Sequence, residues 1–251
     1  MEIYRRVVAA AVIWLLLGLA SSSRAVAHGD AAVRPERLFF ESGGRKIRAD
    51  RYAPAGMRSA RTVIVLYGAG GMVFDGPSMG RVARSLADAG DTVYLLHYYN
   101  RTGNIVALDS TMQKNFGVWL ETLRDGIKWV HGREDKGTRR IGLYGYSLGG
   151  FLAIAAASDN PLVGAVTEHA GGIWNSQEER VGKMPPVLMV HGLDDRRVSV
   201  EKYAKQLLRV LRQRDARVET EFVPGEGHVF SEAAMAVVRP KVAKFFAREL
   251  R

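Results

Sequence analysis

The chain has no cysteine among its 251 residues. Disulfides are therefore excluded, and the fold must hold itself together by its core. Lipid attachment at a leader-cleavage cysteine is excluded as well. Beyond residue 20 no apolar run is long enough to span a bilayer. There is no Walker loop, no G-x-G-x-x-G opening a helix after the first strand, and no H-E-x-x-H. Nothing in the sequence indicates a metal or an organic cofactor. The chain also lacks internal repeats, low-complexity tracts and an interdomain linker.

One charge sign dominates. The net charge is +10. It falls to about +8 once Glu2, Arg5, Arg6 and Arg24 are set aside. The cations are scattered (Arg58, Arg61, Arg81, Arg84, Arg139, Arg140, Arg196, Arg197, Arg209, Arg212, Arg214) and are not interleaved with aromatics. This reads as a solvated basic surface, not a nucleic-acid-binding one.

The first residues have the layout of an export signal. Arg5-Arg6 precede an apolar run of 14 residues, 7–20, and a small, polar stretch ends in Ala25-Val26-Ala27. That is an A-x-A cleavage site, so residues 1–27 are expected to be a signal peptide and 28–251 the mature domain, beginning at His28. The run is shorter than the ~20 residues a spanning helix needs. A cleaved, periplasmic or secreted protein without stable membrane insertion is expected. Oligomeric state is left open.

The rest alternates strand and helix patterns. Residues 37–41 and 46–52 read as a hairpin around Ser42-Gly43-Gly44. Runs at 62–67, 91–97, 140–144, 162–167, 186–190 and 217–223 read as strands, most of them buried. Helical spacing covers 78–89, 111–131, 148–157, 200–214 and 231–250. Alternation of this kind gives an α/β fold with a doubly wound, mostly parallel sheet. The irregular stretch 170–183 is too short for a folded cap domain, so the site should be open.

Gly145-Tyr146-Ser147-Leu148-Gly149-Gly150 carries the chemistry. It is a G-x-S-x-G set between a strand and a helix, the pattern of a nucleophile elbow, which exposes the serine at the strand's end. A serine hydroxyl needs an adjacent base, and the base needs an orienting acid. In this fold type the chain order is Ser, acid, His, on loops after later strands. His191-Gly192-Leu193-Asp194-Asp195 follows one strand and Gly225-Glu226-Gly227-His228-Val229-Phe230 follows the last. Ser147, Asp195 and His228 are the candidate catalytic residues. Asp194 is the rival acid and His169 the rival base; His97 and His191, at strand ends, read as packing or turn-forming groups. The N–H groups of Leu148 and of Ala69, the latter in the glycine loop 68–71, are the candidate oxyanion donors. Tyr146 and Trp174 are candidate substrate contacts.

These features together resemble the dienelactone hydrolase branch of the α/β-hydrolases, over roughly residues 38–251. The resemblance implies an α/β-hydrolase fold without a cap, hydrolysing a small-molecule ester through an acyl-enzyme. The chain departs from dienelactone hydrolases proper in three ways. Ser147 stands where they have cysteine. Their loop glutamate has no counterpart in Tyr67-Gly68-Ala69-Gly70. Ser231-Glu232 stand where their second carboxylate-binding arginine lies. Arg101 falls where they carry the first, so it is a candidate substrate-binding residue, with Glu232 a possible partner to it. A serine esterase is the expectation; a peptidase on the same residues, or a catalytically silent binding protein, are the alternatives.

Overall fold

The computed structural model describes residues 35–53, 61–134 and 140–250. The expected signal peptide with its expected cleavage site, Arg58 and Arg139 lie outside the described residues. Eight strands form one sheet: β1 (Glu36–Ser42), β2 (Arg45–Tyr52), β3 (Arg61–Leu66), β4 (Asp91–Leu96), β5 (Ile141–Tyr146), β6 (Val163–His169), β7 (Val187–Gly192) and β8 (Val218–Val223). The order across the sheet is β1-β2-β4-β3-β5-β6-β7-β8. The β1–β2 and β2–β4 pairs are antiparallel, and the other five are parallel.

Residue chemistry sets each strand's place. The continuous apolar runs of β4 and β7 are buried at every position, as required when helices cover both faces of a parallel sheet. Strand β8, Val-Glu-Thr-Glu-Phe-Val, alternates instead and lies at the edge, half-buried. Its Glu221 pairs at 2.6 Å with Lys241 of helix α5 (Glu232–Glu249).

Four further helices are α1 (Gly76–Asp88), α2 (Asp109–Glu134), α3 (Leu148–Ala157) and α4 (Lys205–Gln213). Helix α3 is apolar on all sides and buried along nine of its ten residues, the signature of a central helix. The expected helix at 200–214 begins with a wide π turn, Val200–Ala204, before α4. The stretch 170–183 contains a short 3-10 helix, Asn175–Arg180, and no cap domain. No described helix is long and apolar enough to cross a membrane.

Because β3 to β8 run parallel, their C-terminal ends lie together. The loops that follow β3, β5, β7 and β8 therefore meet at one end of the sheet, where open α/β folds place their sites.

Candidate active site

Ser147 sits between the last residue of β5 and the first of α3, at φ 53°. Non-glycine residues avoid this region, and holding one there costs about 1–3 kcal/mol. The surroundings impose it. The Ser147 N–H donates to the His169 carbonyl at 2.8 Å. The turn is tight enough that a Cβ on Gly145 would strike the Gly149 carbonyl, and one on Gly149 would strike those of Leu66 and Tyr67. Glycine is required at both flanks by close approach of backbone.

His228 reaches Ser147 from the loop after β8. Its Nε2 lies 3.0 Å from Ser147 Oγ, and its Nδ1 lies 2.8 Å from Asp195 Oδ2. The Asp195 carboxylate can only accept, so Nδ1 bears the hydrogen and Nε2 faces the hydroxyl with its lone pair. The N–H groups of Arg197 and Val198 each donate to Asp195 Oδ1 at 2.8 Å. Burial opposes the Asp195 charge, but hydrogen bonds from His191 and His228 outweigh it and hold the carboxyl well below its ordinary range. The neighbouring Asp194 is exposed; only its backbone is fixed, donating to the Glu226 carbonyl at 2.9 Å.

His169, the rival base, is buried, and its Nδ1 meets the Tyr144 hydroxyl at 2.6 Å. Burial depresses its pKa to about 3, so it stays neutral. It supplies Ser147 with a backbone acceptor and has no side-chain bond to it.

Among the described residues neither the Leu148 nor the Ala69 N–H has an acceptor. Leu148 opens α3, where the helix dipole favours negative charge. The glycine loop passes close to the serine: a Cβ on Gly68 would lie 2.9 Å from Ser147 Cβ. The same point lies 3.0 Å from Asp75 Oδ2, a buried carboxylate oxygen without a hydrogen-bond partner among the described residues. Burial raises the Asp75 pKa while the Gly68 and Gly70 amides oppose the rise. Sequence reading passed over Asp75 because the one-turn helix before it, Gly71–Phe74, looks like plain loop.

One expected substrate contact requires correction. Arg101 is not free to read a ligand: its Nη1 donates to the Gly43 carbonyl at 2.6 Å, and Nη2 lies 3.7 Å from Glu121. A long side chain here packs under the β1–β2 turn. Glu232 pairs with Arg81 and Arg239, not with Arg101. Trp174 stacks on Phe151 with ring centres 4.5 Å apart and lines a cleft of about 1250 Å³ bordered by α2 and α3. Neither Ser147 nor His228 lines that cleft. Tyr146 does adjoin the site, with its ring 5.4 Å from that of His228. The serine is bordered by loops bearing exposed apolar side chains: Val73, Phe74, Ile105, Leu108, Leu193 and Val229.

A serine on a strained strand-to-helix turn, bonded to a histidine that is bonded to a carboxylate, in an eight-stranded sheet of this order, defines an α/β hydrolase. Residues 47–247 match the profile of the dienelactone hydrolase family, and the chain belongs to that family. No curated protein matches the chain significantly in sequence. Among solved structures it is similar to a dienelactone hydrolase from Anabaena variabilis (21% identity, TM-score 0.66, covering 87% of this chain and 100% of that one). It is also similar to a serine hydrolase without a lid from Xanthomonas campestris (18% identity, TM-score 0.67, 87% and 96%). A third is the esterase PE8 (16% identity, TM-score 0.65, 78% and 98%). At these identities the likeness concerns the fold.

Proposed function

We propose that the protein is an exported serine hydrolase of carboxylic esters. The observation that carries the reading is the unbroken run of contacts from Ser147 Oγ to His228 to Asp195, at 3.0 and 2.8 Å. Ser147 attacks the ester carbonyl while His228 Nε2 takes its proton. The Leu148 and Ala69 N–H groups, left without acceptors, receive the oxyanion. His228 then returns the proton to the leaving alcohol. Water repeats the sequence on the acyl-enzyme and regenerates Ser147. Asp195, kept ionised, fixes the imidazole's tautomer and stabilises the imidazolium.

The apolar loops around the serine favour an uncharged, apolar acyl group over an anionic one. Arg101, engaged elsewhere, supplies no carboxylate clamp.

The test is labelling by a fluorophosphonate together with a panel of p-nitrophenyl esters of increasing chain length. Wild type should be labelled and turn over esters. Ser147→Ala should do neither, with a loss on the order of 10⁶ in kcat. Residual activity above a tenth of wild type would remove Ser147 as the nucleophile. Turnover of peptide amides in preference to esters would move the reading to a peptidase. Labelling without turnover of either would favour a binding role. Export is tested by N-terminal sequencing of protein recovered outside the cytoplasm, which should begin at His28.

A further inference from the structure

The cleft of about 1250 Å³ bordered by α2 and α3 has two chemically different ends. Phe116, Leu120, Arg124 and Lys128 of α2 all line it, each four residues after the last. Residues at that spacing lie along one helix face, so they form a wall about 18 Å long that turns from apolar to cationic at its middle.

Helix α3 and the segment after β6 repeat the same polarity. At the apolar end Trp174 meets Phe116 edge-on, with ring centres 4.9 Å apart, and stacks on Phe151. One turn further along α3, the Ala155 carbonyl accepts from Arg124 Nη2 at 3.5 Å. Just past α3, the Ser158 hydroxyl donates to the Arg180 carbonyl at 3.3 Å, which brings Arg180 to the cationic end. Arg124, Lys128 and Arg180 are exposed, and none of them pairs with a carboxylate among the described residues. A fourth lining cation, Lys202, sits 5.0 Å over the Tyr203 ring. Asp159 is the one acidic residue among the described residues that line the cleft, and its Oδ1 already accepts from the Lys183 N–H at 2.8 Å.

We propose that this cleft is a second ligand site, for a fatty-acid anion. Its alkyl chain lies against Phe116, Leu120 and Trp174, and its carboxylate meets Arg124, Lys128 and Arg180. Charge and shape select this occupant over others. An uncharged lipid would leave the cations without a partner. A small anion would leave the aromatic half to water, at a hydrophobic cost. A chain with one anionic head satisfies both halves in the order in which the wall presents them. Arg124 can hold the head through two parallel hydrogen bonds. From Phe116 to Arg124 is eight residues, about 12 Å along the helix, close to the length of an extended decanoate. Binding here uses neither Ser147 nor His228, so the site stands or falls independently of ester hydrolysis.

Calorimetric titration of full-length protein with decanoate, below its aggregation concentration, tests the site. Decanoate should bind saturably, and decanol and acetate at least about tenfold more weakly, the value of one charged hydrogen bond. Added salt should weaken decanoate several-fold and leave decanol unchanged; this reading needs no variant. Arg124→Ala/Lys128→Ala removes two exposed side chains and should weaken decanoate about tenfold or more. Leu120→Glu, which sets a carboxylate in the path of the chain, should abolish binding. Quenching of tryptophan fluorescence by ω-bromodecanoate should disappear in Trp174→Phe. Decanol binding as tightly as decanoate, acetate binding as tightly as decanoate, or no binding at all would overturn the proposal. So would an affinity untouched by the double substitution, which would place the ligand elsewhere on the protein.

Discussion

Tyr146 donates its hydroxyl to the carbonyl of His228 at 3.2 Å while its ring lies against the same imidazole. The residue before the serine therefore braces the loop that carries the histidine. Elbow and base, 81 residues apart in the chain, are fixed to each other by backbone as well as by the Ser147–His228 contact. Tyr146→Phe keeps the ring and removes the hydroxyl. One hydrogen bond is worth about 1 kcal/mol, so kcat should fall by roughly fivefold with KM nearly constant. Steady-state kinetics on one ester decides it; a change confined to KM would place Tyr146 against the substrate instead.

Asp195 and Asp194 differ by one position and by everything that matters chemically. Asp195 accepts from three donors; Asp194 faces solvent. Asp195→Asn should cost on the order of 10⁴ in kcat, because an amide favours the wrong tautomer of His228. Asp194→Asn should stay within about twofold of wild type. The reverse ranking would reassign the acid.

Glu168 makes stability depend on pH in a definite direction. An ordinary glutamate titrates near 4.5, and burial lifts Glu168 to about 7. Between these values the folded state holds a proton that the unfolded chain has released. Stability attributable to Glu168 is then present below about 4.5, falls as pH rises to about 7, and is constant above. His169, lowered from 6.5 to about 3, has the opposite slope over its own window. Glu168→Gln keeps an acceptor for Gly171 and removes the first slope only. The variant should gain on wild type by up to about 3 kcal/mol between pH 5 and 8. Urea denaturation at a series of pH values measures it; a constant difference would show that Glu168 does not titrate in this range.

Arg101→Ala should act on the hairpin and not on substrate choice. Losing the bond to the Gly43 carbonyl should cost about 1 kcal/mol of stability. The kcat/KM ratio between a neutral ester and its carboxylate-bearing analogue should not change. A selective loss on the anionic ester would restore Arg101 to the binding site.

The parts of this site that the sequence announces are those built by local backbone chemistry. Ser147 is legible because G-x-S-x-G records a steric requirement of the turn itself. Asp195 and His228 are legible because loops after β7 and β8 must end beside it in this strand order. Arg101 was not, since the direction of a long side chain is decided by a distant partner, here the Gly43 carbonyl. His191 and Glu168 were hidden for a different reason. Each is the next-to-last residue of a buried strand and looks like packing, and only the alignment of β6 with β7 sets them on one face. The wide turn at 200–204 leaves no mark in a helical pattern that continues through it.

The positive φ of Ser147 has a consequence for how this protein would respond to selection. Glycine occupies that region at little cost, whereas serine is held there against its preference. Replacing the serine by glycine removes both the strain and the hydroxyl that faces His228. A screen that rewards heat resistance alone would therefore favour loss of the nucleophile, and directed evolution of this scaffold has to keep turnover under selection at every round.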